Sequence, residues 1–297
     1  PVTHSGIINF QHLADLEALN PPKIKGHRNM EADEDEHTNV PFNRALPQDA
    51  VRTEIELPPT SYRSPMSPTA SLVFNGMLDN GSLIPPDVNG VAGPNHLLES
   101  INTGYRIFNK TGSTVSSLSL STFWSGLSGV GSPYCDPYTE YDANYGRWIT
   151  CIIANLSNGH YGLFVAVSQT NDPTGSWYEY SIDTGSSTTL PDYPTMGYNV
   201  NWVVITVNNF ANAASFSGVG IYIMNRASMY AGTLGTVTSA IDPSSNGSFT
   251  VVPAQTMDNT TTTLYMLQEW NGASGSVRFS TITGAVNSPV YTLGTTV

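Results

Sequence analysis

The sequence predicts an all-β protein, a β-propeller with four-stranded blades. From Asp87 onward the chain repeats one module four times, and each copy is a turn rich in Asp, Pro and Gly followed by short apolar strands. The second strands of successive copies begin 52, 54 and 62 residues apart, at His96, Trp148, Trp202 and Leu264. That period is long for a solenoid and fits propeller blades of four antiparallel strands.

Each copy contains four segments with the apolar pattern of short strands. The first copy holds DVNGVAG, HLLESIN, YRIFNK and TVSSLSL, and the second holds CDPYTEYD, WITCIIAN, LFVAVSQ and WYEYSID. The third holds DYPTMGY, WVVITVNN, GIYIMNR and GTVTSAID, and the weaker fourth holds FTVVPAQ, TLYMLQEW, VRFSTIT and VYTLGTT. Residues 70–78, ASLVFNGML, are predicted to add a strand to one blade. Four blades are recognisable, and a closed ring of four and a larger ring stay open as alternatives.

Residues 1–65 differ in composition from the predicted propeller of residues 66–297. They hold six of the eleven basic residues, many prolines, and the acidic run EADEDE that starts at Glu31. This composition predicts an extended, flexible N-terminal segment or a pro-region. Within it, FQHLADLEAL has apolar residues at helical spacing, which predicts one short amphipathic helix that docks on the propeller or on another chain.

Composition and charge restrict the classes of partner. The formal net charge is −12, and only five basic residues follow residue 65. Because nucleic-acid binding needs clustered Lys or Arg, the sequence argues against it. No apolar run reaches the roughly 20 residues of a membrane-spanning helix. Few lysines, Ser- and Thr-rich tracts and an acidic isoelectric point favour an extracellular or cell-surface protein whose partners are glycans or extracellular proteins.

Two cysteines and five glycosylation triplets bear on the compartment. Cys135 and Cys151 bracket the first two strands of the second copy, where neighbouring antiparallel strands bring such residues close. They are predicted to form a disulfide, and two buried free thiols are the alternative. In a eukaryotic source, N-linked glycans are expected at Asn80, Asn109, Asn155, Asn246 and Asn259.

Three aspartates are the main candidate site. Asp87, Asp136 and Asp192 each lie near the start of the first, innermost strand of a copy, so they are expected at one mouth of the propeller. Carboxylates that converge there would bind Ca²⁺ or sugar hydroxyls. The alternative is that each aspartate only shapes its own turn. Calcium is the one cofactor that the sequence suggests, and the predicted ligand-binding set is Asp87, Asn89, Asp136, Asp192, Tyr138 and Tyr193.

The catalytic hypothesis adds one histidine to these aspartates. His96 begins the second strand of the first copy and is a candidate general base, although a half-buried histidine that bonds a loop is the commoner case. Glu140 and Asp142 share a strand face with Asp136 by parity, and one of them is expected to hold Arg147. No nucleophile-elbow, zinc-protease, phosphate-loop or dinucleotide fingerprint is present in the sequence.

The stretches PPDVNGVAGPNH and CDPYTEYD followed by RW resemble a family of secreted bacterial proteins expected to be propellers. The resemblance covers roughly residues 84–285 and implies a fold and a compartment, but no reaction. It matches Asp87, Asn89, Gly90, Gly93, Pro94, His96, Asp136, Asp142, Arg147, Trp148, Asp192 and Pro194.

Two functions follow as hypotheses. The first is a secreted or cell-surface propeller that acts as a binding or structural module for glycans or protein neighbours. The second is a carbohydrate-active enzyme, a glycoside hydrolase or polysaccharide lyase, with Asp87, Asp136 and Asp192 near His96 at the channel mouth. An enzyme would present unpaired carboxylates that face each other, whereas a structural module would use them in turn hydrogen bonds.

Overall fold

The computed structural model describes residues 3–22, 28–29, 70–78, 83–270 and 276–295. The fold is mostly β, as predicted. Its strands are β1 (Thr3–Asn9), β2 (Arg28–Asn29), β3 (Leu83–Ile84), β4 (Asn89–Ala92), β5 (His96–Ile101), β6 (Gly104–Asn109), β7 (Thr114–Ser119), β8 (Gly131–Pro133), β9 (Tyr138–Asp142), β10 (Arg147–Leu156), β11 (Tyr161–Ser168), β12 (Ser176–Asp183), β13 (Thr189–Tyr198), β14 (Trp202–Ala211), β15 (Ser215–Asn225), β16 (Thr238–Pro243), β17 (Val252–Pro253), β18 (Leu264–Trp270), β19 (Ser276–Ala285) and β20 (Ser288–Thr292). The α-helices are α1 (Phe10–Leu19), α2 (Leu120–Phe123) and α3 (Arg226–Tyr230), and short 3₁₀ helices span Trp124–Leu127 and Ser244–Asn246.

Four antiparallel sheets follow one another along the chain. The first sheet has the order β4-β5-β6-β7, the third β13-β14-β15-β16 and the fourth β17-β18-β19-β20. The second sheet has the order β1-β12-β11-β10-β8, with β9 also paired to β10. Strands β5, β14 and β18 begin at the predicted residues, and β10 begins one residue before Trp148. Residues 70–78 form no strand, and Phe74 instead packs on Phe108 of the first sheet.

Three apolar cores lie between successive sheets. One core joins the first and second sheets around Tyr105 and Trp177, and the next joins the second and third sheets around Tyr180 and Tyr198. A third core around Trp202 joins the third and fourth sheets. The second and third sheets are therefore buried on both faces, which explains why β10 and β14 are nearly continuous apolar runs.

One strand from each of the four sheets packs against its counterpart in the next sheet. Strand β4 contacts β9, β9 contacts β13, and β13 contacts β17. Gly197 of β13 is needed for this close approach, since a Cβ there would lie 2.4 Å from the Pro253 carbonyl oxygen. We call β4, β9, β13 and β17 the inner strands.

The N-terminal residues belong to the folded body. Strand β1 pairs along the outer edge of β12, and Asn9 caps α1 by accepting a 2.9 Å bond from the His12 amide. The Glu17 carboxylate then accepts bonds from the amide and hydroxyl of Ser119, 2.9 and 2.6 Å long. The predicted helix is thus present and docks on its own chain, so residues 1–65 begin with folded residues instead of an extended segment. Most of the remaining predicted segment lies outside the described residues.

A buried carboxyl group lies beneath the N-terminal strand. Glu179 of β12 is fully buried, and within the described part of the chain neither carboxyl oxygen accepts a hydrogen bond of normal geometry. Burial raises its pKa to about 8, although the nearby Gly126 N–H offsets part of the rise. The side chain is therefore neutral at pH 7 in the folded protein and ionised in the unfolded chain.

Glu179→Gln should stabilise the protein in alkaline solution. Because the folded pKa is raised above its ordinary value, Glu179 makes the free energy of unfolding fall as pH rises from about 4.5 to about 8. The neutral glutamine removes that dependence, and because each pKa unit corresponds to about 1.4 kcal/mol, we expect a gain of several kcal/mol at pH 9 and none at pH 4. Urea unfolding at both pH values measures the difference. Asp15→Asn on the exposed side of α1 serves as the control, and an equal pH dependence in wild type and Glu179→Gln would contradict the prediction.

Candidate functional site

Every inner strand is preceded or interrupted by a residue with left-handed backbone. The φ angles are 47° at Asp87, 58° at Asp136, 49° at Tyr193 and 50° at Thr250. In β4, β9 and β17 this residue lies two positions before the first residue that pairs with the neighbouring strand. In β13 it lies within a bulge, two positions before pairing with β14 resumes. Non-glycine residues rarely adopt this conformation, and strained backbone of this kind concentrates at functional sites. The four positions are therefore equivalent ends of the inner strands.

Side chains of the preceding sheet bind the backbone amides at three of these positions. Asn102 Oδ1 accepts a 2.7 Å bond from the Asp136 amide, and Asp136 Oδ2 accepts a 3.1 Å bond from the Tyr193 amide. Asn208 Oδ1 accepts a 2.9 Å bond from the Thr250 amide. Successive sheets are thus joined at the same end of their inner strands.

The predicted aspartates come together at this end. Burial raises the pKa of Asp136 to about 8, and the charges of Asp192 and then Asp87 contribute to the rise. The Tyr193 amide and Cys135 offset part of it. All three aspartates are half-buried, and Asp87 Oδ2 accepts a hydrogen bond from Asn102 Nδ2. The three carboxyl groups therefore lie close enough for the charges of Asp192 and Asp87 to raise the pKa of Asp136.

The other predicted ligand-binding residues have different surroundings. Tyr193 is 59% exposed, so its ring is accessible beside the aspartates. Tyr138 is half-buried, and burial followed by the charge of Glu140 raises the pKa of its hydroxyl. Asn89 Oδ1 accepts bonds of 2.8 and 2.7 Å from the amide and hydroxyl of Thr139, so Asn89 joins the first two sheets.

The predicted calcium site does not form among the described residues. Within that part of the chain, no three His, Cys, Asp or Glu side chains are grouped so as to hold a metal ion. The carboxylates of Asp87 and Asp136 instead accept bonds from Asn102 and from the Tyr193 amide.

The predicted disulfide between Cys135 and Cys151 was wrong. Both thiols are free and buried. Cys151 pairs with Tyr138 in the β9–β10 register, whereas the Cys135 carbonyl oxygen accepts a 3.1 Å bond from the Ile153 amide. The two cysteines are therefore offset along β10, and a disulfide between neighbouring strands needs opposed residues. Burial, and next the charge of Asp136, raises the pKa of the Cys135 thiol.

His96 does not join the aspartates. In the β4–β5 register Asn89 faces Ser100, so Asp87 lies toward Asn102, beyond the end of β5 that is opposite His96. The six residues from His96 to Asn102 span roughly 20 Å of extended chain. The buried Nδ1 atom of His96 has no hydrogen-bond partner among the described residues. His96 therefore does not lie beside Asp87, as the predicted catalytic group of His96 and the three aspartates would require.

Two further acidic residues lie along β9. Glu140 is buried, which raises its pKa to about 7, and bonds to Tyr138 and Gln255 offset part of the rise. Asp142 pairs with Arg226 at 3.2 Å, and not with Arg147 as expected. Arg147 instead donates to the Tyr145 and Gly146 carbonyl oxygens of its own turn.

Asn102 is the site residue that the sequence analysis missed. It lies in the turn between β5 and β6, where an Asn is ordinary. One signal was available: Asn102 follows Asp87 by 15 residues, and Asn208 follows Tyr193 by the same 15 residues. Such matched spacing in two copies of a repeat indicates an equivalent role.

The glycosylation triplets remain predictions. Asn259 is exposed, and the Asn109 side chain accepts bonds from Thr111 and Ser113 in its own turn. Asn155 lies within β10, Asn246 Nδ2 donates to Asp242, and Asn80 lies outside the described residues. None of the helices in the described part of the chain is long and apolar enough to span a membrane.

Known proteins resemble this chain only distantly. No protein-family model and no curated protein matches it. A GH43 endo-arabinanase from Bacillus licheniformis aligns over 66% of this chain and 70% of its own, with 12% identity and a TM-score of 0.36. A mutant of the Synechocystis apocarotenoid oxygenase aligns over 69% of this chain and 48% of its own, with 10% identity and a TM-score of 0.40. A GH43_1 enzyme from Xanthomonas citri in complex with xylose aligns over 70% of this chain and 73% of its own, with 9% identity and a TM-score of 0.35. Similarity at this level carries no conclusion about the function of this chain.

Proposed function

We propose that the four sheets are blades of a β-propeller, and that the protein hydrolyses neutral glycans where Asp87, Asp136 and Asp192 meet. The observation that carries the proposal is the convergence of carboxyl groups from three successive sheets at one end of the inner strands. Like charges placed together oppose folding, so such clusters more often serve a site than a scaffold.

The propeller arrangement is supported by the order of contacts. The inner strands contact one another in chain order, an apolar core separates each pair of sheets, and equivalent left-handed residues mark the same strand ends. Sheets that share one central layer of inner strands and pack face to face in sequence have the geometry of blades around an axis.

The raised pKa of Asp136 beside other carboxyl groups supports glycoside hydrolysis as the reaction. Glycoside hydrolysis needs a protonated carboxyl that gives its proton to the leaving oxygen and a carboxylate near the oxocarbenium-like transition state. Asp136 is suited to the first role because it remains protonated to about pH 8. We assign the second role to Asp192, whose charge affects Asp136 more than that of Asp87 does.

The substrate class follows from the surface around the cluster. The exposed ring of Tyr193 offers a face on which a sugar ring can stack, and the carboxyl groups can bond its hydroxyls. The negative charge of the site and the net charge of −12 disfavour polyuronates and other anionic chains. An extracellular location, where such polysaccharides are found, fits this proposal.

The proposal is tested by a hydrolysis assay. The protein is incubated with arabinan, xylan, galactan and β-glucan, with polygalacturonate as the anionic comparison, and new reducing ends are measured from pH 4 to 9. We expect hydrolysis of at least one neutral glycan, with activity that falls as pH rises through about 8. Absence of new reducing ends from every neutral glycan would overturn the proposal.

A binding module is the second candidate, and hydrogen bonding at the site favours it. The carboxyl groups of Asp87 and Asp136 already accept bonds from Asn102 and from the Tyr193 amide, as expected for groups that shape the site. This function predicts retention on neutral glycans without any release of reducing ends.

Tyr193→Ala should weaken glycan binding under either function. Loss of a stacking ring weakens the binding free energy by about 1 kcal/mol, which corresponds to roughly a fivefold increase in Kd. Affinity electrophoresis in gels that contain each neutral glycan measures the change. Tyr265→Ala, on the exposed face of the fourth sheet, is the matched control and should leave Kd unchanged. Equal retention of both variants and wild type would contradict stacking on Tyr193.

A further inference from the structure

We propose that Asn102 is the positioning residue of the aspartate cluster, holding the Asp87 carboxylate and the Asp136 backbone at a fixed separation across the first two sheets. The proposal deepens the function proposed above and depends on it only for the effect on turnover. The positions of the Asp87 and Asp136 carboxyl groups and the titration of Asp136 can be tested whether or not the protein is a hydrolase.

The hydrogen bonds of Asn102 reach both sides of the cluster. Its amide nitrogen Nδ2 donates to Asp87 Oδ2 and, at 3.0 Å, to the Pro85 carbonyl oxygen. Its backbone amide donates to the Pro86 carbonyl oxygen at 2.8 Å, and Oδ1 accepts the 2.7 Å bond from the Asp136 amide. The side chain is 2% exposed, so it has little freedom to exchange these partners for water.

These bonds determine what surrounds Asp136. An N–H donor directed at the Asp87 carboxylate keeps that charge beside the cluster instead of in solvent, and the charge of Asp87 contributes to the raised pKa of Asp136. The other groups that face Asp136 are Asp192, Cys135 and the Tyr193 amide. Asn102 is therefore a side chain that connects Asp87 to Asp136.

The third sheet supplies a matched control. Asn208 accepts a bond from the Thr250 amide and donates to Thr250 Oγ1, both 2.9 Å long. The same inter-sheet contact is made there without a carboxylate. Both Asn208→Ala and Asn102→Ala should therefore lower stability, but Asn208→Ala should leave the titration of Asp136 unchanged.

Carbon-13 NMR titration of Asp-labelled protein tests the proposal without a substrate. The Asp136 carboxyl signal is assigned by its absence in Asp136→Asn. In Asn102→Ala the Asp87 carboxylate can turn to solvent, so we expect the Asp136 midpoint to fall by about one pH unit. In Asn102→Asp a new charge next to Asp136 replaces the donor, so the midpoint should rise by a similar amount.

The outcomes separate this proposal from a purely structural role and from the hydrolase function. Midpoint shifts of opposite sign in the two variants support it, and shifts of equal sign, or none beyond that of Asn208→Ala, overturn it. If Asn102→Ala does not fold, the isosteric Asn102→Asp decides alone: a raised midpoint supports the proposal and an unchanged or lowered one overturns it. Opposite shifts in a protein that hydrolyses no glycan would leave the positioning role intact and refute only the hydrolase.

Discussion

Arg226→Met should lower the free energy of unfolding by about 3–5 kcal/mol, the largest loss of stability that we expect from one substitution. Arg226 and Asp142 form an ion pair of 3.2 Å between side chains that are almost completely buried. Removal of the guanidinium leaves the Asp142 carboxylate in the interior without its counter-charge, and that uncompensated charge is the main cost.

The surroundings of the pair make relaxation difficult. Asp142 Oδ2 also accepts a 2.9 Å bond from the Tyr230 hydroxyl, and Arg226 donates at 2.6 Å to the Val200 carbonyl oxygen. The Tyr145 ring covers the guanidinium at 3.8 Å from its centroid, which adds a cation–π contact. The pair joins the end of β9 to α3, so its loss removes one polar contact between the second sheet and the helix that follows β15.

Urea unfolding at pH 7 measures this effect. Arg147→Met is the matched control, since Arg147 is half-buried and donates to carbonyls of its own turn, and we expect a loss within about 0.5 kcal/mol. A double-mutant cycle with Asp142→Asn isolates the pairwise contribution. Equal losses in the free energy of unfolding for Arg226→Met and Arg147→Met would contradict the stabilising role of the Arg226–Asp142 pair.

The fold was predictable where the pattern depends on local chemistry. Apolar runs that start at His96, Trp202 and Leu264 begin strands β5, β14 and β18, because strands buried on one or both faces carry that signal in the sequence. The helix at Phe10 was predictable from its spacing. Its docking was not, since the contact of Glu17 with Ser119 joins residues that are distant along the chain. The strand predicted at residues 70–78 failed because apolar composition alone does not provide a partner strand.

The site was predictable in part. The repeated turns led to Asp87, Asp136 and Asp192, and the charges of Asp192 and Asp87 do act on Asp136, although the position equivalent to Asp87 and Asp136 in the third sheet is Tyr193. Two predictions failed because they depended on strand register, which the sequence does not specify. His96 lies at the end of β5 opposite to the aspartates, and Cys135 lies opposite Ile153 instead of Cys151. Hydrogen bonds between sheets, such as that of Asn102 with the Asp136 amide, have no local signature in a single sequence.

Asp136→Asn should abolish the proposed hydrolysis while making the protein more stable. Loss of a general acid lowers kcat by about 10²–10⁴-fold, because the amide protons of asparagine are not acidic enough to be transferred to the leaving oxygen.

The expected gain of stability has a separate cause. The fold raises the pKa of Asp136 to about 8, so its ionisation makes the free energy of unfolding fall as pH rises from about 4 to about 8. Asparagine removes that loss, and we expect the variant to unfold at a higher urea concentration than wild type at pH 8. Asp15→Asn on the exposed side of α1 is the control, and it should change neither property. If Asp136→Asn retained hydrolysis, Asp136 would not be the acid, and if it unfolded more easily than wild type at pH 8, the carboxyl would be structural. When the fold holds a functional group in an unfavourable environment, replacing that group should make the protein more stable and inactive at the same time. Burial beside two other carboxyl groups raises the pKa of Asp136 and suits it to act as an acid, and Asp136→Asn removes both the unfavourable environment and the acid.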